Sequence, residues 1–282
     1  MKIDSHQHFW KFFGNEKDYV WMMDEYSLLK KNFGPEDLVP LLNLVDFDGT
    51  VAVQAREIPK ENDYLLDIAK KFDFIKGIVG WLDLCDPKIE NDLERYDHQP
   101  KLKGLRMLIH DRLDLEFASS PNHVRGVGLL ERHGLTYDLL LKPQHIRAST
   151  VLVDHLPNQK FVIDHIAKPD IKMGLFEPWG KEIAALAERP NVYCKLSSLI
   201  TQADWNNWSE EQFEPYLDHV LESFGPSRVM IGSDWPVCTC VTDYVTTMGM
   251  ITRWAAKLSD TERMLLFGDN CVHFYSLEES SL

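Results

Sequence analysis

Short apolar, β-branched runs alternate with amphipathic stretches along the whole chain. The runs fall at residues 3–10, 50–55, 78–82, 102–108, 136–141, 161–165, 191–197 and 228–234. Each is bounded by turn-forming residues, and most read as continuously apolar, as strands buried on both faces do. The stretches between them carry helix signals. Pro35-Glu36-Asp37-Leu38 puts proline and acids in a first turn and predicts a helix over 35–47. Residues 61–72 place Leu65, Ile68, Ala69 and Phe72 on one stripe. Asp86-Pro87 opens a further helix, 122–133 stops at Gly134, and 143–155 ends before Pro157. Ser209 with Gln212 forms a capping box. It leads into Phe213, Tyr216, Leu217, Val220, Leu221 and Phe224 at helical spacing, closed by Gly225-Pro226. Helical patterns then continue to about residue 275, and the polar tail 278–282 is expected to fray.

Eight strands, each followed by a helical pattern, predict a parallel sheet closed into a (β/α)8 TIM barrel. The chain of 282 residues suits one such domain spanning 1–282, without repeat, low-complexity segment or linker. Two connections are long, 11–34 and 166–178. The first carries Phe12, Phe13, Tyr19, Trp21, Tyr26 and Phe33, and reads as a lid packed on the rim with one or two rings at the mouth.

Composition narrows the ligand. With 44 acidic against 30 basic side chains the net charge is −14, a surface that repels nucleic acid and anionic membrane and favours a small neutral molecule. No apolar run approaches the roughly 18 residues of a membrane span, and no basic start with an apolar stretch marks a signal peptide. The expected location is therefore cytoplasmic. The five cysteines lack disulfide-like spacing and read as free thiols. Cys238-Thr239-Cys240 has the chemistry of a metal ligand, but no second pair completes a site.

In a barrel of this kind, chemistry sits where strands end at the C-terminal face. His6 and His8 lie two residues apart on strand one and so share a face. Gln54 ends strand two, Arg106 strand four, His165 strand six, Lys195 strand seven and Asp234 strand eight. Taken singly, such an aspartate caps a helix, such a lysine reaches to the rim and such a histidine sits in a core. Taken together, the three histidines and a carboxylate can hold a divalent metal, or surround a water and a carbonyl without one.

The same residues carry a family resemblance. The chain resembles the amidohydrolase superfamily, in its amidohydrolase-2 branch of sugar-lactone and pyrone-lactone hydrolases. The resembling segments are Ile3-Asp4-Ser5-His6-Gln7-His8-Phe9-Trp10, Lys103-Gly104-Leu105-Arg106, Val162-Ile163-Asp164-His165-Ile166-Ala167-Lys168-Pro169, Lys195-Leu196-Ser197, Ile231-Gly232-Ser233-Asp234-Trp235-Pro236 and Asp269-Asn270-Cys271-Val272-His273-Phe274-Tyr275. The resemblance is strongest to L-fucono- and L-rhamnono-lactone hydrolases. It implies an enzyme of carbohydrate catabolism that opens a lactone to an aldonic acid. Asp234 would activate water, with His6, His8 and His165 beside it. One zinc held by His6, His8, His165 and Asp234 and a metal-free site both remain open, since some lactonases of the branch use no metal. The strand-five bridging ligand of binuclear relatives has no clear counterpart: Asp138 lies early in the strand and Lys142 precedes Pro143. Arg106, Lys168, Lys195 and the Gln54 amide are candidates for holding hydroxyls or the developing carboxylate, and Trp10, Trp81 and Trp235 for flat apolar contact. The alternative activity is a metal-dependent decarboxylase, or another hydrolase of the branch acting on a small cyclic acid. The expected partner is the small-molecule lactone, and a homo-oligomer is compatible with the sequence.

Overall fold

The structure, a computed structural model, describes residues 1–278. Beyond Glu278, the expectation of a frayed tail falls outside the described residues.

Eight parallel strands run in sequence order: β1 (Ile3–Gln7), β2 (Gly49–Val53), β3 (Ile75–Gly80), β4 (Leu102–Met107), β5 (Thr136–Leu140), β6 (Phe161–Asp164), β7 (Val192–Leu196) and β8 (Val229–Ile231). The last meets the first at a parallel bridge between Gln7 and Trp235. Backbone bonds from His8 N to Trp235 O (2.7 Å) and from Asp234 N to His6 O (2.8 Å) close the barrel there. Gly232 makes this approach possible, because a Cβ at that position would lie 2.8 Å from the His6 Cβ. Asp4 ties the same seam: its carboxylate accepts from Ser233 Oγ at 2.6 Å, Ser233 N at 2.9 Å and Tyr244 OH at 3.2 Å.

The helices are α1 (Pro35–Leu44), α2 (Lys60–Ala69), α3 (Ile89–Glu94), α4 (Pro121–Val127), α5 (Ile146–His155), α6 (Trp179–Ala187), α7 (Glu214–Phe224), α8 (Tyr244–Ala255), α9 (Asp260–Met264) and α10 (Asn270–Tyr275). None of the described helices is long and apolar enough to cross a membrane. Proline opens α1 as the sequence predicts; α4 opens on Pro121, one residue ahead of its expected start, and α3 begins at Ile89, past the Asp86-Pro87 expected to open it. Several predicted helices are shorter than their patterns. The 122–133 stretch is α-helical only to Val127 and finishes as a 3₁₀ turn, Leu130–His133, before left-handed Gly134. The Ser209 capping box starts a 3₁₀ turn, Glu210–Gln212, and Pro215 enters the first turn of α7 behind it.

Most of the core lies between the strands and the surrounding helices. A smaller cluster gathers Ile3, Val51, Val79, Val162 and Met230 against Phe274 and Tyr275 of α10. Tyr275 OH donates to Asp138 Oδ2 at 2.8 Å, so the C-terminal helix reaches the polar groups beneath the mouth. The 11–34 connection is folded, with 3₁₀ turns at Glu16–Asp18 and Asp24–Leu29. Trp10 Nε1 donates to Lys31 O at 2.8 Å, and Trp21 Nε1 to Ala55 O at 2.9 Å. Arg56 pairs with Glu61 at 2.6 Å and reaches Asp18 of the loop at 3.4 Å.

Candidate active site

Strands β1 and β8 are shorter than their sequence patterns, and the difference places the chemistry. His8 and Asp234 lie past the ends of β1 at Gln7 and β8 at Ile231, where the chain leaves the sheet and enters the mouth. Asp234 has a left-handed backbone (φ 58°), as does Ser198 (φ 55°), and four successive residues after β6 share it: His165 (55°), Ile166 (47°), Ala167 (60°) and Lys168 (49°). Non-glycine residues adopt this region at a cost of order 1–3 kcal/mol each, and such positions cluster at functional sites. The run after β6 is held by its surroundings: Trp179 Nε1 donates to Ile166 O at 2.6 Å and Lys168 N to His165 O at 2.8 Å.

Three imidazoles surround the Asp234 carboxylate. Its Oδ1 lies 3.2 Å from His8 Nε2, 3.8 Å from His6 Nε2 and 3.9 Å from His165 Nε2. Oδ2 accepts a short hydrogen bond from Ser198 Oγ. His8 Nδ1 lies 2.8 Å from Val53 O, and a carbonyl only accepts, so that nitrogen carries the ring proton. In the neutral ring His8 Nε2 is then a lone pair facing a carboxylate oxygen, and with a proton on it the same nitrogen donates to Asp234 Oδ1. His6 Nε2 lies 3.3 Å from Arg106 Nη1, which only donates, so it presents a lone pair on that side, while Nδ1 lies between Lys195 Nζ at 3.2 Å and Asp164 Oδ1 at 3.3 Å. Facing acceptors repel unless a proton or a cation sits between them. His6, His8 and Asp234 thus fit a cation, and their ligand atoms lie within 4.8 Å of one another. A second group, His6, Asp164 and His165, meets the same spacing, so the four expected ligands divide between two sets that share His6.

Burial pushes the His165 ring down to about 3 and the His6 ring well below its usual range, so both are neutral at neutral pH. Burial alone would raise Asp234. Hydrogen-bonding and charge contact with the His165, His8 and His6 rings, when a proton lies between ring and carboxylate, outweighs it and holds the carboxyl below the ordinary range. Burial lowers Lys168 as well.

The centre opens into a cavity of about 530 Å³. Of the residues expected from sequence, His8, Gln54, Arg106, His165, Lys168 and Asp234 line it, and His6 lies fully buried behind them. Arg106 is largely committed to structure, with Nη1 donating to Asp164 at 2.9 Å and Nη2 to Gln54 O at 2.7 Å. Lys195 is a correction. It is fully buried beneath His6, its Nζ 2.6 Å from Asp138, 3.0 Å from Asp164 and 3.2 Å from His6 Nδ1, and it does not line the cavity. Two carboxylates hold its ammonium charged against burial, leaving it no reach to the rim. The three tryptophans are a second correction. Trp10 and Trp235 pack with Phe33 at ring separations of 5.3 and 5.4 Å, and half-buried Trp81 donates to Glu57 at 3.3 Å. The aromatic rings at the mouth are instead Trp21 and Tyr26 of the 11–34 connection.

Ser198 escaped sequence reasoning, although it directly follows the Lys195-Leu196-Ser197 segment. Its hydroxyl also lies 2.7 Å from Thr201 Oγ1, so it is aimed at Asp234 by its own loop. Replacing Ser198 with glycine keeps the left-handed backbone free of strain but removes the donor. Stability is expected to hold within about 1 kcal/mol, since backbone relief offsets the lost bond. A bond to a charged group is worth about 1.5–3 kcal/mol, so kcat should fall by at least about 10-fold. Thermal unfolding and steady-state rates on one preparation check both statements.

Fold and site together define a barrel enzyme with a histidine–carboxylate centre at its C-terminal mouth. The chain belongs to the amidohydrolase family, whose Amidohydro_2 model matches residues 3–277. It is 34% identical to an L-fucono-1,5-lactonase of Burkholderia ambifaria, covering 99% of this chain and 97% of that one. Identity to an L-fucono-1,5-lactonase of Burkholderia multivorans is 33%, over 99% and 97% of the two chains. A crystal structure of an amidohydrolase from Burkholderia multivorans with bound zinc superimposes with a TM-score of 0.94, at 32% identity over 99% of this chain and 100% of that one.

Proposed function

We propose that this protein hydrolyses a sugar-derived lactone, of the L-fucono- or L-rhamnono-lactone type, to its aldonic acid. The observation that carries the reading is the ionised Asp234 carboxylate, facing three imidazoles at the floor of a polar-walled cavity of about 530 Å³. The likeness to L-fucono-1,5-lactonases along nearly the whole chain supports the substrate class.

Lactone opening needs a nucleophilic water, an acceptor for its proton and donors for the oxyanion. Asp234 is the acceptor: Ser198 occupies Oδ2, and Oδ1 faces the cavity side of the histidines. After attack, the same carboxyl returns the proton to the departing ring oxygen, which becomes a hydroxyl of the product. His165 Nδ1 lies 2.8 Å from Ser197 Oγ, which fixes the ring with Nε2 toward Asp234. Lys168, which lines the cavity, and the Gln54 amide receive the carboxylate and hydroxyls of the opened chain. A carboxyl held below its ordinary range is a weak base. A divalent cation on His6, His8 and Asp234 would supply the missing driving force by acidifying water and polarising the carbonyl.

A pH-indicator screen of aldonolactones, with carboxylic acids and amides alongside, tests the reading. Acid release from deoxy- and aldonolactones without gas is expected. Carbon dioxide release from an aromatic or unsaturated acid, with no lactone opened, would replace lactonase with decarboxylase.

A further inference from the structure

The loop after β7 carries a file of polar side chains that ends on Asp234. Ser198 Oγ donates to Asp234 Oδ2, because an ionised carboxylate only accepts. A hydroxyl has one proton, so in the 2.7 Å contact between Ser198 Oγ and Thr201 Oγ1 the donor is Thr201. The Thr201 hydroxyl has a second acceptor at 2.8 Å, and it is Ser198 O. Both acceptors therefore belong to one residue, whose backbone is left-handed (φ 55°). Gln202 Nε2 donates to Thr201 Oγ1 at 2.9 Å, which points the threonine proton away from Gln202 and toward Ser198. The donors run one way, from Gln202 to Thr201 to Ser198 to Asp234, and hydrogen bonds in such a chain strengthen one another. The hydroxyl is not what holds the loop. Thr201 N also reaches Ser198 O at 3.3 Å, Trp205 Nε1 donates to Thr201 O at 3.0 Å, and Lys172 N donates to Gln202 O at 2.9 Å. Thr201 lines the cavity, yet its proton is committed to Ser198.

We infer that Thr201 is a positioning residue for the hydrolysis: its hydroxyl fixes the Ser198 side chain, and through Ser198 it aims the Asp234 carboxylate, without holding substrate. The inference rests on Asp234 acting as the base and deepens that reading. Without the Thr201 donor the Ser198 hydroxyl is free to turn to its other rotamers, and Asp234 Oδ2 loses its partner for part of the time. Misplacing a reacting group slows the chemical step. A residue that acts this way lowers kcat and kcat/KM together and leaves KM near its value.

The test measures steady-state rates on one aldonolactone for Thr201→Val, Thr201→Ser and Ser198→Gly, and for Thr201→Val combined with Ser198→Gly. Valine keeps the shape of threonine without the hydroxyl. Thr201→Val should lower kcat about 5-fold or more, with KM within about 2-fold of the wild type. Thr201→Ser should recover most of the rate. In the Ser198→Gly background the valine change should cost less than about 2-fold, because the side chain it acts through is gone. Thr201→Ala removes the same hydroxyl without the branched bulk and should repeat the valine result, so the outcome does not hang on how the turn tolerates valine. A raised KM at unchanged kcat makes Thr201 a substrate contact and overturns the inference. Losses that multiply fully with those of Ser198→Gly, a serine variant as slow as valine, or an unaltered rate overturn it as well. In each of these cases Asp234→Asn remains slow and the base stands. Near-normal turnover by Asp234→Asn, or a wild-type chain that opens no lactone, overturns the underlying reading and the inference with it.

Discussion

Replacing Asp234 with asparagine is expected to lower kcat by about 10²- to 10⁴-fold, the usual worth of a general base, with the fold intact. Asparagine fits the site: its carbonyl oxygen can accept from Ser198, and its amide can donate to the lone pair of His8 Nε2, now 3.2 Å from Oδ1. What it cannot do is take a proton from water. A helix-capping role would predict near-normal rates, because asparagine caps about as well as aspartate. The geometry already weighs against capping, since the carboxylate partners are Ser198 and His8 side chains rather than backbone N–H groups. Metal analysis of the same variant separates two forms of the mechanism. Zinc lost from Asp234→Asn but present in the parent marks Asp234 as a ligand. A parent fully active after chelation marks the histidines as acting directly.

Replacing Lys195 with methionine should be the most destabilising single change in the site, costing about 3–5 kcal/mol. The ammonium lies 2.6 Å from Asp138 and 3.0 Å from Asp164. Asp164 would retain Arg106 at 2.9 Å, but Asp138 would keep only the Tyr275 hydroxyl. The loss should depend on pH. Burial already pushes Asp138 up to about 6, against an ordinary value of 3.8, and removing the lysine pushes it further. A carboxyl raised in the folded state binds a proton that the unfolded chain gives up, so stability falls as pH rises between the two values. The full penalty therefore applies above the folded-state value and shrinks as pH drops toward 4, about the unfolded value. Urea unfolding at several pH values checks this. Adding Asp138→Asn to Lys195→Met should recover part of the loss, because the uncompensated charge goes with it.

The barrel was legible because its strands are compact β-branched runs and its helices carry proline, acidic and glycine punctuation. Strand-end polarity then pointed to His6, His8, Arg106, His165 and Asp234 around one mouth, and the structure brings them together. Depth was not legible. Lys195 and Arg106 both read as late-strand cations, yet one is buried beneath His6 and the other lines the cavity. That difference depends on how far each strand runs before leaving the sheet, a property of the paired barrel rather than of either segment. The tryptophans illustrate the same limit from the other side: Trp10 and Trp235 adjoin site motifs in sequence, but the 11–34 connection folds back over them. The left-handed residues at 165–168, 198 and 234 have no sequence signal, as none is glycine.

In the proposed reaction, water adds to a lactone carbonyl under the control of Asp234. A single turnover in water labelled with heavy oxygen, enzyme in excess over an aldonolactone, tests it most directly. The label should appear once, in the carboxyl group of the aldonic acid, with Asp234 unlabelled and no carbon dioxide formed. Label found in the Asp234 side chain would make it a nucleophile rather than a base, and label at the ring-derived hydroxyl would place the attack at carbon other than the carbonyl. Either result contradicts the mechanism.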